Sequence, residues 1–222
     1  MPYIDLTEPV NSYHWRYPNY VRTLEFLKRN SKIKSPFLSL DRGFTHLLAP
    51  SSMIPGGKTL DDYNLFDTLI NRAAVLHLED AACDNGEITK EQVAAAYAKC
   101  EPAPILLLAT GFGRVHDSYT HDYWDKAPHL SAEAAEYLRD LQPVAVGFDF
   151  AEDPGMCLDP RNRYKPGNNP AHRILLESGI LMLEYLNFLW KVPVNNVDFY
   201  ALPLHIHVDR FDYGSVRAVV KF

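Results

Sequence analysis

The chemistry open to this chain rests on imidazoles and carboxylates. Nine histidines stand at positions 14, 46, 77, 116, 121, 129, 172, 205 and 207. No P-loop, no dinucleotide-binding glycine loop and no His-Glu-x-x-His pair is present, and Gly111-Phe112-Gly113 is only a fragment of a glycine loop. Glu184 lies between Leu183 and Tyr185 in the most apolar stretch of the chain, Gly179 to Trp190. A carboxylate there needs a partner, because a lone buried charge is very costly. A metal ion, an Arg or Lys, or a set of hydrogen-bond donors would each serve. His172 stands at the start of a helical run, and His46 follows Thr45 in a strand-like run before Pro50. Backbone bonds near a turn are the simple role for His46.

Other polar groups form weaker patterns. His116, Asp117, His121 and Asp122 crowd the segment HDSYTHDYWD. Borderline and hard metals take such ligands, but the irregular spacing reads as a solvated loop. His205 and His207 are two apart on a strand and share one face, which reads as exposed and polar. His77, Glu79 and Asp80 end a strand, His14 and Trp15 could line a pocket, and Asp61, Asp62 and Asp67 read as a solvated helix face.

The elements that position these groups alternate. Strands are expected at Tyr3–Leu6, Phe37–Leu40, Thr45–Leu48 and Ala73–Leu78, then at Ile105–Ala109, Val144–Phe150 and Ile180–Leu183, and finally at Phe199–Val208 and Val216–Phe222. Helices are expected at Tyr20–Arg29 and Leu60–Leu69, after the Thr89/Gln92 capping box, over Ala132–Leu141 behind a Ser131 cap, and over Ala171–Glu177 with Gly179 just past the end. Pro55-Gly56-Gly57 signals a turn. Strands alternating with helices in the middle, flanked by strands at both ends, predict a single α/β domain over residues 1–222.

Composition narrows the function. At 222 residues the chain can bury a full core without staples. Twenty-eight acids against 22 bases give a net charge of −6, which argues against a nucleic-acid partner. Cys83, Cys100 and Cys157 are odd in number and contain no CxxC pair, so a reduced, cytoplasmic setting is expected. The N-terminal MPYIDLTEPV lacks the pattern of a signal peptide, and no apolar run is long enough to span a bilayer, so no membrane partner is expected.

Six segments, in order, resemble one family. Tyr3–Pro9 (YIDLTEP) is similar to an opening D-L-[ST]-x-P strand, and Leu106–Phe112 (LLLATGF) to L-x-R-T-G-W. Pro128–Leu138 (PHLSAEAAEYL) is similar to P-G-L-[ST]-x-E-A-A-x-W-L, and Val146–Phe150 (VGFDF) to V-G-I-D-T. His172–Leu186 (HRILLESGILMLEYL) is similar to H-x-x-L-L-x-x-G-I-x-x-x-E-x-L, and the C-terminal ALPLHIHVDRFDYGSVRAVV to P-L-x-I-x-x-x-D-G-S-P-V-R-A. The chain thus resembles the cyclase family of metal-dependent hydrolases, which includes bacterial kynurenine formamidases and isatin hydrolases. The resemblance implies a mixed β-sheet curled toward a barrel with surrounding helices, a small amide or cyclic amide substrate, and a homo-oligomer, dimer or tetramer.

The family's H-x-G-T-H-x-D-x-P-x-H motif aligns with Arg42 to Ser52 and is degraded there. Thr45, His46, Ala49 and Pro50 remain, while Arg42, Phe44, Leu48 and Ser52 replace the first histidine, the glycine, the aspartate and the last histidine. In the family that aspartate bridges two metals, and the last histidine shuttles protons. The ligands that the resemblance leaves here are His46, His172 and Glu184, with Arg42, Thr45, Leu48 and Ser52 around the pocket. Leu48 cannot coordinate, Arg42 adds a fixed positive charge that cannot be titrated away, and Ser52 is no base near neutral pH.

Three readings follow. One is a hydrolase with one divalent metal, zinc or manganese, acting through activated water. It requires His46 to reach toward a site it does not serve in relatives, and a separate base such as His129 or a pocket tyrosine. The second has no metal, with Arg42 paired to Glu184 in a small-molecule pocket. The third is a non-catalytic scaffold. The catalytic residues are left unassigned.

Overall fold

A computed structural model describes residues 2–10, 21–28, 31–38, 44–79, 86–150, 170–205 and 212–222. The strands of the main sheet are β1 (Tyr3–Asp5), β4 (His46–Leu48), β5 (Ile70–His77), β7 (Ile105–Ala109), β9 (Ala145–Phe148), β10 (Leu181–Glu184), β11 (Asn196–Pro203) and β12 (Tyr213–Lys221). Their order is β1-β12-β11-β5-β7-β9-β10-β4, and β4 also pairs with β12. That last pairing closes seven strands into a mixed barrel, with β1 added outside the ring on β12. The middle run β5-β7-β9-β10 is parallel, and the remaining pairings are antiparallel. Two short sheets stand apart, β2 (Val21–Lys28) with β3 (Ser31–Leu38), and β6 (Glu87–Ile88) with β8 (His129–Leu130).

The period of two in a strand sends alternate side chains to opposite faces. Leu47, Val75, Leu107, Leu183, Phe199 and Val220 belong to one buried cluster with members on all seven ring strands, the barrel interior. Gly147 is part of that tight fit: a Cβ there would lie 2.6 Å from Leu186 Cδ1 and 2.7 Å from Leu107 Cδ2. The alternate residues Leu48, Leu76, Leu108, Phe148 and Met182 form a second cluster on the outside, under α2 (Lys90–Tyr97), α5 (Ala132–Asp140) and α6 (Pro170–Glu177). Strand β7 is covered on both faces, which is why Ile105–Ala109 reads as an unbroken apolar run.

Helix starts follow their local signals. Thr89 and Gln92 form the reciprocal capping box, and Ser131 accepts from the Ala134 amide at 3.0 Å. Gly179 stands just beyond α6 at φ +79°.

Three expectations are corrected. Residues 21–28 form a strand, not a helix: β2 and β3 pair antiparallel from Val21↔Leu38 to Lys28↔Ser31. The apolar spacing suits a helix only if the segment is read alone, and strand pairing across a two-residue connection overrides it. The helix expected over Leu60–Leu69 is broken by an extended Tyr63 into a 3₁₀ turn (Leu60–Asp62) and α1 (Leu65–Leu69). The segment expected to be a solvated loop follows α3 (Phe112–Val115) and contains α4 (His121–Asp125), with Tyr123 and Trp124 buried. Its charged groups do face water, Lys126 bonding Asp122 at 2.9 Å. No helix among the described residues is long and apolar enough to cross a membrane.

Candidate functional site

Strand β4 begins with His46 and the antiparallel strand β10 ends with Glu184, and the register sets the two directly opposite each other. Both share the outer, helix-covered face with Leu48 and Met182. His172, in the first turn of α6, comes down onto the same spot. His172 Nε2 lies 3.0 Å from Glu184 Oε1, and His46 Nε2 lies 3.2 Å from Glu184 Oε2. All three residues are buried, at 6%, 1% and 3% exposure. Burial alone would raise the Glu184 pKa, but the bond from His172 and the adjacent His46 ring outweigh it and hold the carboxyl well below the usual carboxylate range.

His46 is fixed from behind. Its Nδ1 lies 2.8 Å from the Phe44 carbonyl, an acceptor, so Nδ1 carries the proton. In a neutral ring, Nε2 is then a bare lone pair. That lone pair faces an ionised carboxylate oxygen, and among the described residues Nε2 has no aligned hydrogen bond. Two acceptors cannot share this gap unless a proton or another cation sits between them.

The backbone around the pair is strained. Phe44 at φ +58° and Tyr185 at φ +60° are bulky residues in the left-handed region, one two residues before His46 and the other just after Glu184. Thr45 ties the two positions together: its hydroxyl donates to the Tyr185 carbonyl at 2.7 Å and accepts from the Glu8 amide at 2.7 Å. The sequence pattern had placed a glycine where Phe44 stands, and the left-handed angle persists without it.

Aromatic rings wall the site. The Tyr185 ring lies 5.6 Å from His46 and 5.3 Å from Trp124, and the series continues through Tyr123 to Phe112. Behind it, Glu8 accepts from Ser118 Oγ and Asn187 Nδ2, and Asn187 Oδ1 accepts from Tyr123. Burial among neutral donors pushes the Glu8 pKa up. Glu8, Phe112 and Tyr185 lie inside segments that carry the family resemblance, whereas Ser118, Tyr123, Trp124 and Asn187 had no motif to mark them beyond the aromatic YW pair at 123–124.

The other sequence candidates fall elsewhere. Leu48 is buried hydrocarbon two register pairs from His46–Glu184, on the same face. Ser52 ends a short 3₁₀ turn (Pro50–Ser52) with its amide on the Ala49 carbonyl. His129 lies on β8, and His77 bonds Glu79 and the Val194 carbonyl at its strand end. His205 is exposed. Arg42, His14, Trp15, Asp80, Cys83, Cys157 and His207 lie outside the described residues.

The pattern of the family described as "Putative cyclase" matches residues 4–152, about two thirds of the chain. The chain belongs to the cyclase family. Solved structures agree on the fold. A predicted metal-dependent hydrolase from Bacillus stearothermophilus superposes with a TM-score of 0.68 at 21% identity, over 99% of this chain and 97% of that one. Isatin hydrolase A from Labrenzia aggregata, bound to benzyl benzoate, gives 0.74 at 20% identity, over 99% and 93%. Isatin hydrolase A from Ralstonia solanacearum gives 0.71 at 16%, over 99% and 91%. No curated protein matches the chain.

Among the described residues no three His, Cys, Asp or Glu side chains surround a common point as a ready cage. The two imidazoles instead meet opposite oxygens of one carboxylate. Two features nonetheless fit a cation: the orphaned His46 Nε2, and the Nδ1 bond to a backbone carbonyl that metal-ligating histidines characteristically make. Two imidazoles and one carboxylate are a zinc-type ligand set.

Proposed function

We propose that this cyclase-family protein is a hydrolase of a small amide or cyclic amide with a one-metal site, His46, His172 and Glu184 being the ligands. The observation that carries the reading is the buried His46 Nε2 set against Glu184 Oε2 at 3.2 Å with Nδ1 already committed to the Phe44 carbonyl. A zinc- or manganese-class divalent ion held there supplies Lewis acidity toward a carbonyl and toward water. Leu48 supports one ion rather than two, since buried hydrocarbon stands where the family's bridging carboxylate would be. The chain's own groups orient and enclose: the Phe44 carbonyl fixes the His46 tautomer, Thr45 holds the two strands together, and Tyr185 and Trp124 exclude water on one side. The aromatic wall suits a flat substrate, in keeping with the isatin hydrolases among the structural neighbours.

The test is metal analysis of the purified chain together with amide hydrolysis. One divalent ion per chain, lost in His172→Ala, with hydrolysis of an aryl formamide or cyclic amide that disappears on chelation, is the expected result. Two ions per chain, or none after incubation with zinc and manganese, would overturn the reading. Finding none would favour the metal-free alternative in which Arg42 neutralises Glu184.

A further inference from the structure

One buried carboxyl, that of Glu8, stands outside the metal-type site yet is tied to both of its aromatic walls. Glu8 follows β1 and is 5% exposed. Its amide donates to the Thr45 hydroxyl, which holds the Tyr185 carbonyl. Its Oε1 accepts from Ser118 Oγ at 2.8 Å, and the Ser118 carbonyl accepts from Trp124 Nε1 at 3.0 Å. Its Oε2 accepts from Asn187 Nδ2, and Asn187 Oδ1 accepts from the Tyr123 hydroxyl at 3.1 Å. The next residue adds another tie, the Tyr119 hydroxyl donating to the Pro9 carbonyl at 2.7 Å. Residues 118–124 are thus pinned to the barrel through Glu8 and Pro9.

Unlike a salt bridge, this junction holds no cation among the described residues. The ionisable groups that act on Glu8 come from the α3–α4 connection and are Asp117 and Tyr119, while β4 offers the Thr45 hydroxyl and the segment after β10 offers the Asn187 amide. Burial opposes the Glu8 charge, and Asp117 repels it. A neutral carboxyl fits the same partners. Its carbonyl oxygen accepts from Asn187, and its O–H donates to Ser118 Oγ, a hydroxyl that can reverse. The partners therefore suit either protonation state, and burial favours the neutral one. An ionised Glu8 gains by reaching water, and it does so when residues 118–124 swing away.

A small substrate needs such an opening, because His46, His172 and Glu184 are buried and the Trp124 and Tyr185 rings beside them are buried too. We propose that Glu8 is a proton-controlled latch on the aromatic wall: neutral, it holds residues 118–124 shut beside the His46–Glu184 pair, and ionised, it loosens them and opens the way to that pair. The latch is independent of whether an ion is bound there. Burial raises the folded pKa above the ordinary 4.5, so the latch contributes stability that is complete below 4.5 and is lost as pH rises through the raised value.

The experiment follows exchange of the Trp124 indole N–H with solvent by NMR in the full chain after metal chelation, from pH 4.5 to pH 8, expressed as protection relative to a free indole. Wild type should lose protection severalfold as pH rises. Glu8→Gln, a neutral isostere whose amide keeps both partners, should hold the low-pH protection across the whole range. Ser118→Ala should lower protection about fivefold at pH 4.5, where the latch is otherwise shut. Wild type and Ser118→Ala carry the test should Glu8→Gln fail to fold. Wild-type protection that is flat with pH, the same pH dependence in Glu8→Gln, which would place the proton on a histidine, or undiminished protection in Ser118→Ala would each overturn the proposal.

Discussion

Two buried carboxylates stand at neighbouring strand ends and behave in opposite ways. Glu184 ends β10 and Asp149 follows β9, its parallel neighbour. Both are almost wholly removed from water. Glu184 meets two imidazoles, groups able to carry positive charge, and its pKa is held low. Asp149 meets only neutral donors, the Thr110 amide and hydroxyl and the Gly111 amide, and burial pushes its pKa up to about 6 against those bonds. Burial is the same penalty in both places, and the sign of the outcome is set by whether the partners are cationic. One acid is therefore suited to hold a cation, and the other to hold a loop.

The largest effect should come from breaking the charged member. Glu184→Gln leaves two buried imidazoles facing an amide and should destabilise the fold by about 3–5 kcal/mol. Urea denaturation reads the loss, and metal content should fall with it. If the variant denatures at the wild-type midpoint, Glu184 is not the centre of this cluster.

Asp149→Asn is next, at about 1–3 kcal/mol, because an amide cannot accept from every donor of the Thr110–Gly111 turn. Its pH dependence sharpens the comparison. A carboxyl with a raised folded pKa contributes stability that is full below its unfolded value of 3.8 and is lost as pH rises through about 6. The gap between wild type and Asp149→Asn in urea midpoint should thus be wider at pH 4.5 than at pH 7. A gap that widens toward pH 7 would show that the bonds to Thr110 and Gly111 outweigh burial.

Thr45→Val probes the stitch between the two strained residues. It strips the Glu8 amide and the Tyr185 carbonyl of a shared partner, at about 1–2 kcal/mol. Thr45→Ser should recover most of this, and zinc affinity measured by competition should fall about 10- to 100-fold in the valine variant alone. Equal zinc affinity in both variants would leave Thr45 a purely structural bond.

The smallest effect is the exposed pair of Arg72 with Asp198 at 3.1 Å. Arg72→Ala should shift stability by no more than about 0.5 kcal/mol, since water screens both partners. A larger loss would mean that surface pairs contribute more here than buried geometry does.

Local signals carried much of the architecture. The capping box at Thr89, the Ser131 cap, the apolar run Ile105–Ala109 and the α6 helix with Gly179 behind it are short-range features, so a sequence reading finds them. The strand over residues 21–28 was hidden for the complementary reason: its alternation is imperfect, and only pairing with residues 31–38 decides its state. Tyr123 and Trp124 read as part of a solvated loop because His and Asp surround them, and burial of two large rings is decided by what packs above them.

The site divides along the same line. Sequence alone supplied the residue types that meet here, two imidazoles and a carboxylate at His46, His172 and Glu184 with the hydrocarbon of Leu48 beside them, because residue chemistry is local. It also fixed the apolar setting that obliges Glu184 to find partners. Tertiary structure alone decided that His46 faces Glu184 across antiparallel strands, that the Phe44 carbonyl removes one of its two nitrogens from play, and that Asp149 anchors a turn while Glu184 draws imidazoles. Those outcomes depend on register and on backbone angles set by contacts more than a hundred residues apart in the chain, as in Thr45 with Tyr185, and no local pattern encodes them.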